Sequence, residues 1–111
     1  MKPHATETPK HLYKVLALEL WQASENKKNM VLSPEDAPFI RFQKEDDLSR
    51  LLHYWGTLNV PHVVLKIKAS KLEGKLVFEA KLGGSTKQYH LYNGSIPMHA
   101  VVETKIINLK N

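Results

Sequence analysis

Residues 88–97 read QYHLYNGSIP, and this stretch contains the most informative side chains of the chain. His90 and Tyr92 are two residues apart, so on an extended backbone they point to the same side. The leucine between them then points the other way, towards a core. Gly94 suits a turn at the end of the strand, and Pro97 restricts the backbone that follows. The pattern predicts a rigid strand that anchors one face and offers an imidazole and a phenol on the other.

Length and composition limit the protein to one ordinary globular domain. The chain has 111 residues, of which 42% are hydrophobic and 24% are charged. It contains no cysteine, which excludes disulfides, a thiolate nucleophile and a cysteine metal site, and fits a reducing, cytoplasmic location. No apolar run approaches the roughly 18 residues of a membrane span. Residues 1–10 lack the apolar core of a secretory signal, so we expect a flexible tail followed by a single domain over residues 11–109.

The formal net charge of +5 comes largely from scattered lysines at positions 66, 68, 71, 75, 81 and 87. Such lysines can form a surface for phosphates or RNA, or they can simply solvate one face of a sheet. No nucleic-acid-binding motif accompanies them. RNA is therefore an alternative partner and not the leading hypothesis.

The clearest helix is expected from residue 45 onwards. Leu48, Leu51, Leu52 and Trp55 form one apolar stripe, and three acidic residues at 45–47 crowd the first turn, where the helix dipole favours negative charge. A shorter helix is expected over residues 19–26.

Alternating or continuous apolar runs predict the strands. These runs cover residues 12–16, 39–43, 62–68, 76–80, 89–92 and 100–109, with turns or loops expected at 72–74 and 83–86. In the run 39–43, Phe39, Arg41 and Gln43 share one face. Helices come early and strands dominate the second half, so the fold class is α+β.

Two charged side chains in these strands are candidate site residues. Arg41 lies in an apolar run, where a cation needs a partner or a ligand, so it either clamps a phosphate or carboxylate or pairs with an acid such as Glu79. Glu79 either orients a hydroxyl or acts as a base, or it pairs with Arg41 or Lys81. The six histidines match no zinc spacing, so no metal site is predicted.

Four blocks of sequence together resemble a family of small bacterial domains of unknown function, number nine-five-two in that series. The blocks are LYKVLALELWQA at 12–23, EDAPFIRFQKEDDL at 35–48, VVLKIKASKLEGKLVFEAKLGG at 63–84, and YHLYNGSIPMHAVVE at 89–103. The resemblance covers roughly residues 11–107. It implies an ADP-ribosyltransferase-like split β-sheet with two short helices, and a functional relative in the RNA 2′-phosphotransferase that uses NAD. Such folds hold NAD in a cleft between two small sheets.

The resemblance also implies which residues form the site. Lys14 stands where many relatives have histidine, and the family's Phe-Ile-His-hydrophobic-Ser segment has Arg41 for the histidine and Gln43 for the serine. The acidic residue and the His-Leu-Tyr segment are retained as Glu79 and residues 90–92. Lysine and arginine keep donors for a pyrophosphate, but they lack the neutral imidazole needed for acid–base roles.

We therefore expect a domain that binds NAD, ADP-ribose or a related phosphorylated nucleotide, and that would be a transferase if it is an enzyme. The expected cofactor-binding residues are Lys14, Arg41, Gln43, His90 and Tyr92. The expected catalytic residues are Arg41, Glu79 and His90. The alternative is a non-catalytic module on the same fold that binds RNA through surface lysines, or a protein partner.

Overall fold

A computed structural model describes residues 8–36, 38–56, 60–80, 84 and 87–107, without the side chains of residues 51 and 54–56. The strands are β1 (His11–Ala17), β2 (Ile40–Phe42), β3 (His62–Lys68), β4 (Glu73–Ala80), β5 (Lys87–Ser95) and β6 (Val101–Ile107). The helices are α1 (Leu18–Ala23) and α2 (Glu45–Gly56), with short 3-10 turns at Pro34–Asp36, Ala69–Lys71 and Met98–Ala100. The predicted α+β class is confirmed.

The strands form two three-stranded antiparallel sheets. The first has the order β1-β3-β6 and the second has the order β2-β5-β4. In the first sheet, β3 is central, and its Val63, Leu65 and Ile67 are fully buried. These residues face the same side as Leu12 and Leu16 of β1, because directly paired residues share a face.

One hydrophobic core joins the two sheets. Leu12, Val63 and Leu65 of the first sheet belong to the same buried cluster as Phe42 and Leu91 of the second. A residue on β2 or β5 that alternates with these core residues must point to the opposite face. The core therefore determines which face of the second sheet can carry polar groups.

The long helix agrees with its sequence pattern. Helix α2 begins with three acidic residues at 45–47, and Leu48 and Leu52 lie beside Tyr13 and Val64 on the first sheet. The shorter helix ends earlier than predicted, at Ala23. The buried Ser24 hydroxyl donates to the Leu20 carbonyl and accepts from the Val31 amide, which redirects the chain there.

The predicted turn at Gly94 is wrong, because Gly94 lies inside β5. The pairing of β4 with β5 shifts register between Glu73 and Lys75, and Gly74 has a φ of 123°. At this irregularity a Cβ on Gly94 would lie 1.9 Å from the Glu73 carbonyl oxygen. Glycine is thus required for the close approach of two strands. The predicted turn at 72–74 is wrong for the same reason, since Glu73 and Gly74 belong to β4.

Several sequence predictions lie outside the described residues. They concern residues 1–7 of the expected tail, Lys81, residues 83, 85 and 86 of the expected loop, the side chains of Leu51 and Trp55 in the expected apolar stripe, and residues 108–109 of the expected last strand. Within the described part, no helix is long and apolar enough to cross a membrane.

The close approach at Gly94 predicts that Gly94→Ala is destabilising. The methyl group would overlap the Glu73 carbonyl, so β4 and β5 must separate locally, and we expect a loss of at least about 2 kcal/mol in the free energy of unfolding. Urea denaturation followed by circular dichroism measures it. Lys75→Ala, at an exposed position on the paired strand, is the control and should change stability by less than about 0.5 kcal/mol. Equal stability of Gly94→Ala and the wild type would contradict the close approach.

Candidate functional site

The two sheets meet at a pair of backbone hydrogen bonds between β1 and the residue that follows β2. The Tyr13 amide donates to the Gln43 carbonyl at 2.8 Å, and the Gln43 amide donates to the Tyr13 carbonyl at 2.7 Å. This bridge brings the residues next to Tyr13 on β1 close to those next to Gln43 on β2. Lys14 and Arg41 are consequently neighbours, although 27 positions separate them in sequence.

A cavity of about 340 Å³ opens at this junction. Strand β1, helix α1, the 3-10 turn at Pro34–Asp36, β2 and β3 all contribute to its wall. Among the residues predicted for the site, Lys14, Arg41 and Gln43 line it. The cavity therefore lies between the two sheets, where these three side chains converge.

The Lys14 ammonium forms a buried ion pair with Asp36. Its Nζ atom lies 3.2 and 3.1 Å from the two carboxylate oxygens, and both side chains are 7% exposed. The same Nζ donates to the Arg41 carbonyl at 2.8 Å. Burial lowers the pKa of Lys14, while Asp36 opposes that change. Because an ammonium has three donors, these contacts occupy the lysine within the protein.

The Arg41 guanidinium lies at the edge of the cavity. Its Nη1 donates to the Glu35 carbonyl at 2.8 Å, and its Cζ lies 4.9 Å from the centre of the Phe39 ring. Among the described residues, no carboxylate is within ion-pair distance of it. The alternative in which Arg41 pairs with Glu79 is wrong, because Glu79 bonds elsewhere.

Glu79 joins His90 and Tyr92 on the second sheet. Its Oε2 accepts from the Tyr92 hydroxyl and lies 2.8 Å from Nδ1 of His90. Val77 and Arg41 are the direct partners of His90 on the two flanking strands, so Arg41 and His90 share the face opposite to the core. We call this surface the polar face of the second sheet, comprising Arg41, Gln43, Glu79, His90 and Tyr92.

The hydrogen bonds determine the protonation of this group. Tyr92 first and His90 second lower the pKa of Glu79, so the carboxylate is ionised at neutral pH and can only accept. The hydrogen bond to Glu79 correspondingly raises the pKa of Tyr92. In neutral His90, Nδ1 therefore carries the proton and Nε2 presents a lone pair.

Phe39 covers the imidazole of His90. The two rings stack with centroids 4.2 Å apart and an interplanar angle of 28°, and His90 is only 1% exposed. Its Nε2 is a buried nitrogen without a hydrogen-bond partner among the described residues. A buried polar atom in that state is uncommon and often marks a site of function.

Gln43 connects the cavity with the polar face. Its Oε1 accepts from Nε2 of Gln88 at 3.3 Å, and Gln43 also lines the cavity. Lys14, Arg41 and Gln43 thus form the cavity group, while Glu79, His90 and Tyr92 form a second group that adjoins it through Arg41. The predicted common face of Phe39, Arg41 and Gln43 is consistent with the pairing of β2.

Sequence reasoning missed the roles of Asp36 and Phe39. Asp36 is the partner of Lys14 and also accepts from the Arg41 amide at 3.3 Å. Phe39 touches Arg41 and His90 alike. A buried lysine in β1 is the signal that points to an acidic partner elsewhere in the chain.

In the described part, no three histidine or acidic side chains are grouped so as to hold a metal ion.

Comparison with solved structures shows a similar fold in a protein from a bacterium. The crystal structure of protein CC0527 from Caulobacter crescentus has a TM-score of 0.70 and 25% sequence identity, over 90% of this chain and 88% of that one. A double mutant of the same protein gives a TM-score of 0.69 and 24% identity, with the same coverage. No curated protein matches the sequence.

The family comparison covers most of the chain. The family described as "Protein of unknown function (DUF952)" matches residues 15–104. These residues include the 3-10 turn at Pro34–Asp36, strands β2 to β5 and the whole polar face. This protein belongs to that family.

Proposed function

We propose that the cavity between the two sheets binds a phosphorylated nucleotide of the NAD or ADP-ribose type. The observation that carries the proposal is Arg41, whose guanidinium borders the cavity without a carboxylate partner among the described residues. Two small sheets with a cavity at their junction are also what an ADP-ribosyltransferase-like architecture requires, which supports this ligand class.

Arg41 is the proposed phosphate ligand. A guanidinium has five N–H donors in a plane, and one terminal nitrogen here donates to the Glu35 carbonyl. The remaining donors suit two oxygens of a pyrophosphate. The Phe39 ring beneath the guanidinium and the Asp36 contact to its amide restrict its position, so less conformational entropy is lost on binding.

Lys14 takes a supporting part in this proposal. Its three donors contact Asp36 and the Arg41 carbonyl, so it holds β2 in place, while Asp36 balances its charge. Gln43 supplies amide donors at the same wall, since among the described residues its side chain is engaged only through its carbonyl oxygen, by Gln88. In this proposal Lys14 positions β2, Gln43 offers polar contacts to the ligand, and Arg41 provides the charge.

His90 and Tyr92 are proposed to lie against the ribose or base. For the transferase reaction that the family resemblance suggests, Nε2 of His90 is the group that would accept the proton of an attacking hydroxyl, with Glu79 fixing the ring. Because Phe39 stacks on the imidazole, this role requires that Phe39 move aside when a ligand enters.

The nucleotide proposal predicts that Arg41→Ala weakens binding of NAD or ADP-ribose about 10-fold to 100-fold, since a charged hydrogen bond contributes about 1.5–3 kcal/mol. Isothermal titration calorimetry measures the affinity. Arg50→Ala is the matched control, because Arg50 is exposed on α2, away from the cavity, and pairs with Asp47. It should bind as the wild type does.

Three results would contradict the nucleotide proposal. One is the absence of binding of either nucleotide, with no chemical-shift change near Arg41 and Tyr92. Another is RNA binding that falls steeply with added salt and is unaffected by Arg41→Ala, because that pattern belongs to a lysine surface. A protein partner that binds in place of nucleotides would also exclude the proposal.

The ion pair predicts a large effect of Lys14→Met. The substitution leaves the Asp36 carboxylate buried without its cation, which costs about 3–5 kcal/mol of unfolding free energy. The double variant Lys14→Met/Asp36→Leu removes both charges and should lose less. Lys66→Met is the control, because the Lys66–Glu103 pair on the same sheet is largely exposed and contributes at most about 1 kcal/mol. Chemical denaturation of the four proteins compares them, and equal losses for Lys14→Met and Lys66→Met would refute the burial argument.

The hydrogen bonds to Glu79 predict a pH dependence. The pKa of Glu79 is lower in the folded state than in the unfolded state. The ionised carboxylate therefore stabilises the fold above the ordinary glutamate pKa of about 4.3, and this stabilisation is lost as the pH falls through the folded-state pKa of Glu79. In Tyr92→Phe the pKa of Glu79 should rise, and less stability should be lost in acid. Carboxyl carbon NMR titration measures the pKa. Tyr89→Phe, on the core face of the same strand, should leave it unchanged.

A further inference from the structure

Strand β6 is an edge strand with unusual exposure. It lies at the end of the first sheet, next to β3, and residues 102–106 are all exposed. Val102 and Ile106 are 51% and 48% exposed, and they are two of the three large apolar side chains so exposed among the described residues. An exposed edge strand with apolar side chains offers unpaired backbone groups to another strand.

The sequence of β6 is complementary to itself. Residues 102–106 read Val-Glu-Thr-Lys-Ile, with Thr104 at the centre. If two β6 strands pair antiparallel about Thr104, Glu103 of one copy lies opposite Lys105 of the other, and Val102 lies opposite Ile106. The favourable Glu103–Lys105 pair and the apolar Val102–Ile106 pair are then each formed twice, which is the condition for an isologous two-fold contact.

The register of the sheet is compatible with this pairing. Within β6, Thr104 and Ile106 are paired with Leu65 and Val63 of β3, whereas Glu103 and Lys105 are paired with Lys66 and Val64. Glu103 and Lys105 therefore lie on one face of the sheet, and Thr104 and Ile106 lie on the other. Val102 has no direct partner on β3, because the register shifts between Lys66 and Ile67 at this point. Glu103 is 71% exposed and its contact with Lys66 is 3.7 Å long, so its carboxylate is available to a second lysine.

The edge of the second sheet is a weaker candidate. Strand β4 has a similar arrangement, in which Lys75 of one copy would face Glu79 of another across Val77. However, the Glu79 carboxylate already accepts from Tyr92 and lies against His90. Pairing through β4 would have to compete with those bonds, whereas pairing through β6 would not.

We propose that the protein forms a homodimer through antiparallel pairing of β6 with β6 of a second copy, centred on Thr104. The product is a continuous six-stranded antiparallel sheet in the order β1-β3-β6-β6-β3-β1. The occupant of the exposed edge is thus another copy of this chain, selected by the crossed Glu103–Lys105 pairs.

Sedimentation velocity over a range of protein concentrations tests the proposal on the full chain. The wild type should show a reversible monomer–dimer equilibrium. Lys105→Glu places two glutamates opposite each other at both symmetric positions, and Glu103→Lys does the same with lysines, so each should weaken the dimer at least about tenfold. An equimolar mixture of the two variants restores opposite charges and should recover a heterodimer.

Two controls separate this interface from others and from misfolding. Lys75→Glu makes the same charge reversal as Lys105→Glu, but on β4, and should leave the association unchanged. The double variant Glu103→Lys/Lys105→Glu restores complementary charges within one chain and should dimerise as the wild type does. Amide hydrogen exchange of the wild type gives a reading without any substitution, since protection of alternate β6 amides should increase with protein concentration.

Several outcomes would overturn the proposal. A wild type that stays monomeric at all concentrations, with unprotected β6 amides, excludes the dimer. Association that survives Lys105→Glu, or that is lost equally in Lys75→Glu, assigns the interface to another surface. Failure of the two single-charge variants to associate when mixed excludes the register centred on Thr104.

Discussion

The buried ion pair between Lys14 and Asp36 is the interaction on which the arrangement of the two sheets depends. It joins β1 of the first sheet to the turn before β2 of the second, and the same ammonium holds the Arg41 carbonyl. Since a lone buried charge is far more costly than a paired one, the sheets cannot move apart at this point without a large loss in stability. The backbone bridge between Tyr13 and Gln43 then defines the cavity wall.

The Lys14–Asp36 ion pair gives Lys14 and Arg41 different roles at the cavity. Lys14 uses its donors on the protein itself, and we therefore assign the phosphates of the proposed ligand to Arg41. Asp36 receives both the ammonium and the Arg41 amide, so it sets the position of the strand that carries the guanidinium. A histidine at either position would supply neither the permanent charge nor the same number of donors. The proposed site is accordingly better suited to binding an anion than to proton transfer at those two positions.

The sequence predicted the elements better than it predicted their contacts. The alternation of side chains predicted the common face of Phe39, Arg41 and Gln43. The apolar stripe and the acidic first turn predicted α2. Both predictions depend only on local periodicity. The partner of Lys14 is 22 residues away and the partner of Glu79 is 11 residues away across a hairpin, so pairing register decides them. Gly94 was mistaken for a turn residue because a close approach of two strands and a turn both require glycine.

The order of the first sheet keeps the proposed nucleotide site and the proposed dimer contact apart. Strand β1 borders the cavity, β6 is the opposite edge, and the buried β3 lies between them. A dimer built through β6 therefore places the two cavities at the far ends of one six-stranded sheet, both open to ligand. Because neither copy then covers or completes the other's cavity, association and nucleotide binding should be energetically independent unless the sheet itself changes its twist. Substitutions in β6 can therefore leave the polar face of the second sheet unaltered, and substitutions in the polar face can leave β6 unaltered.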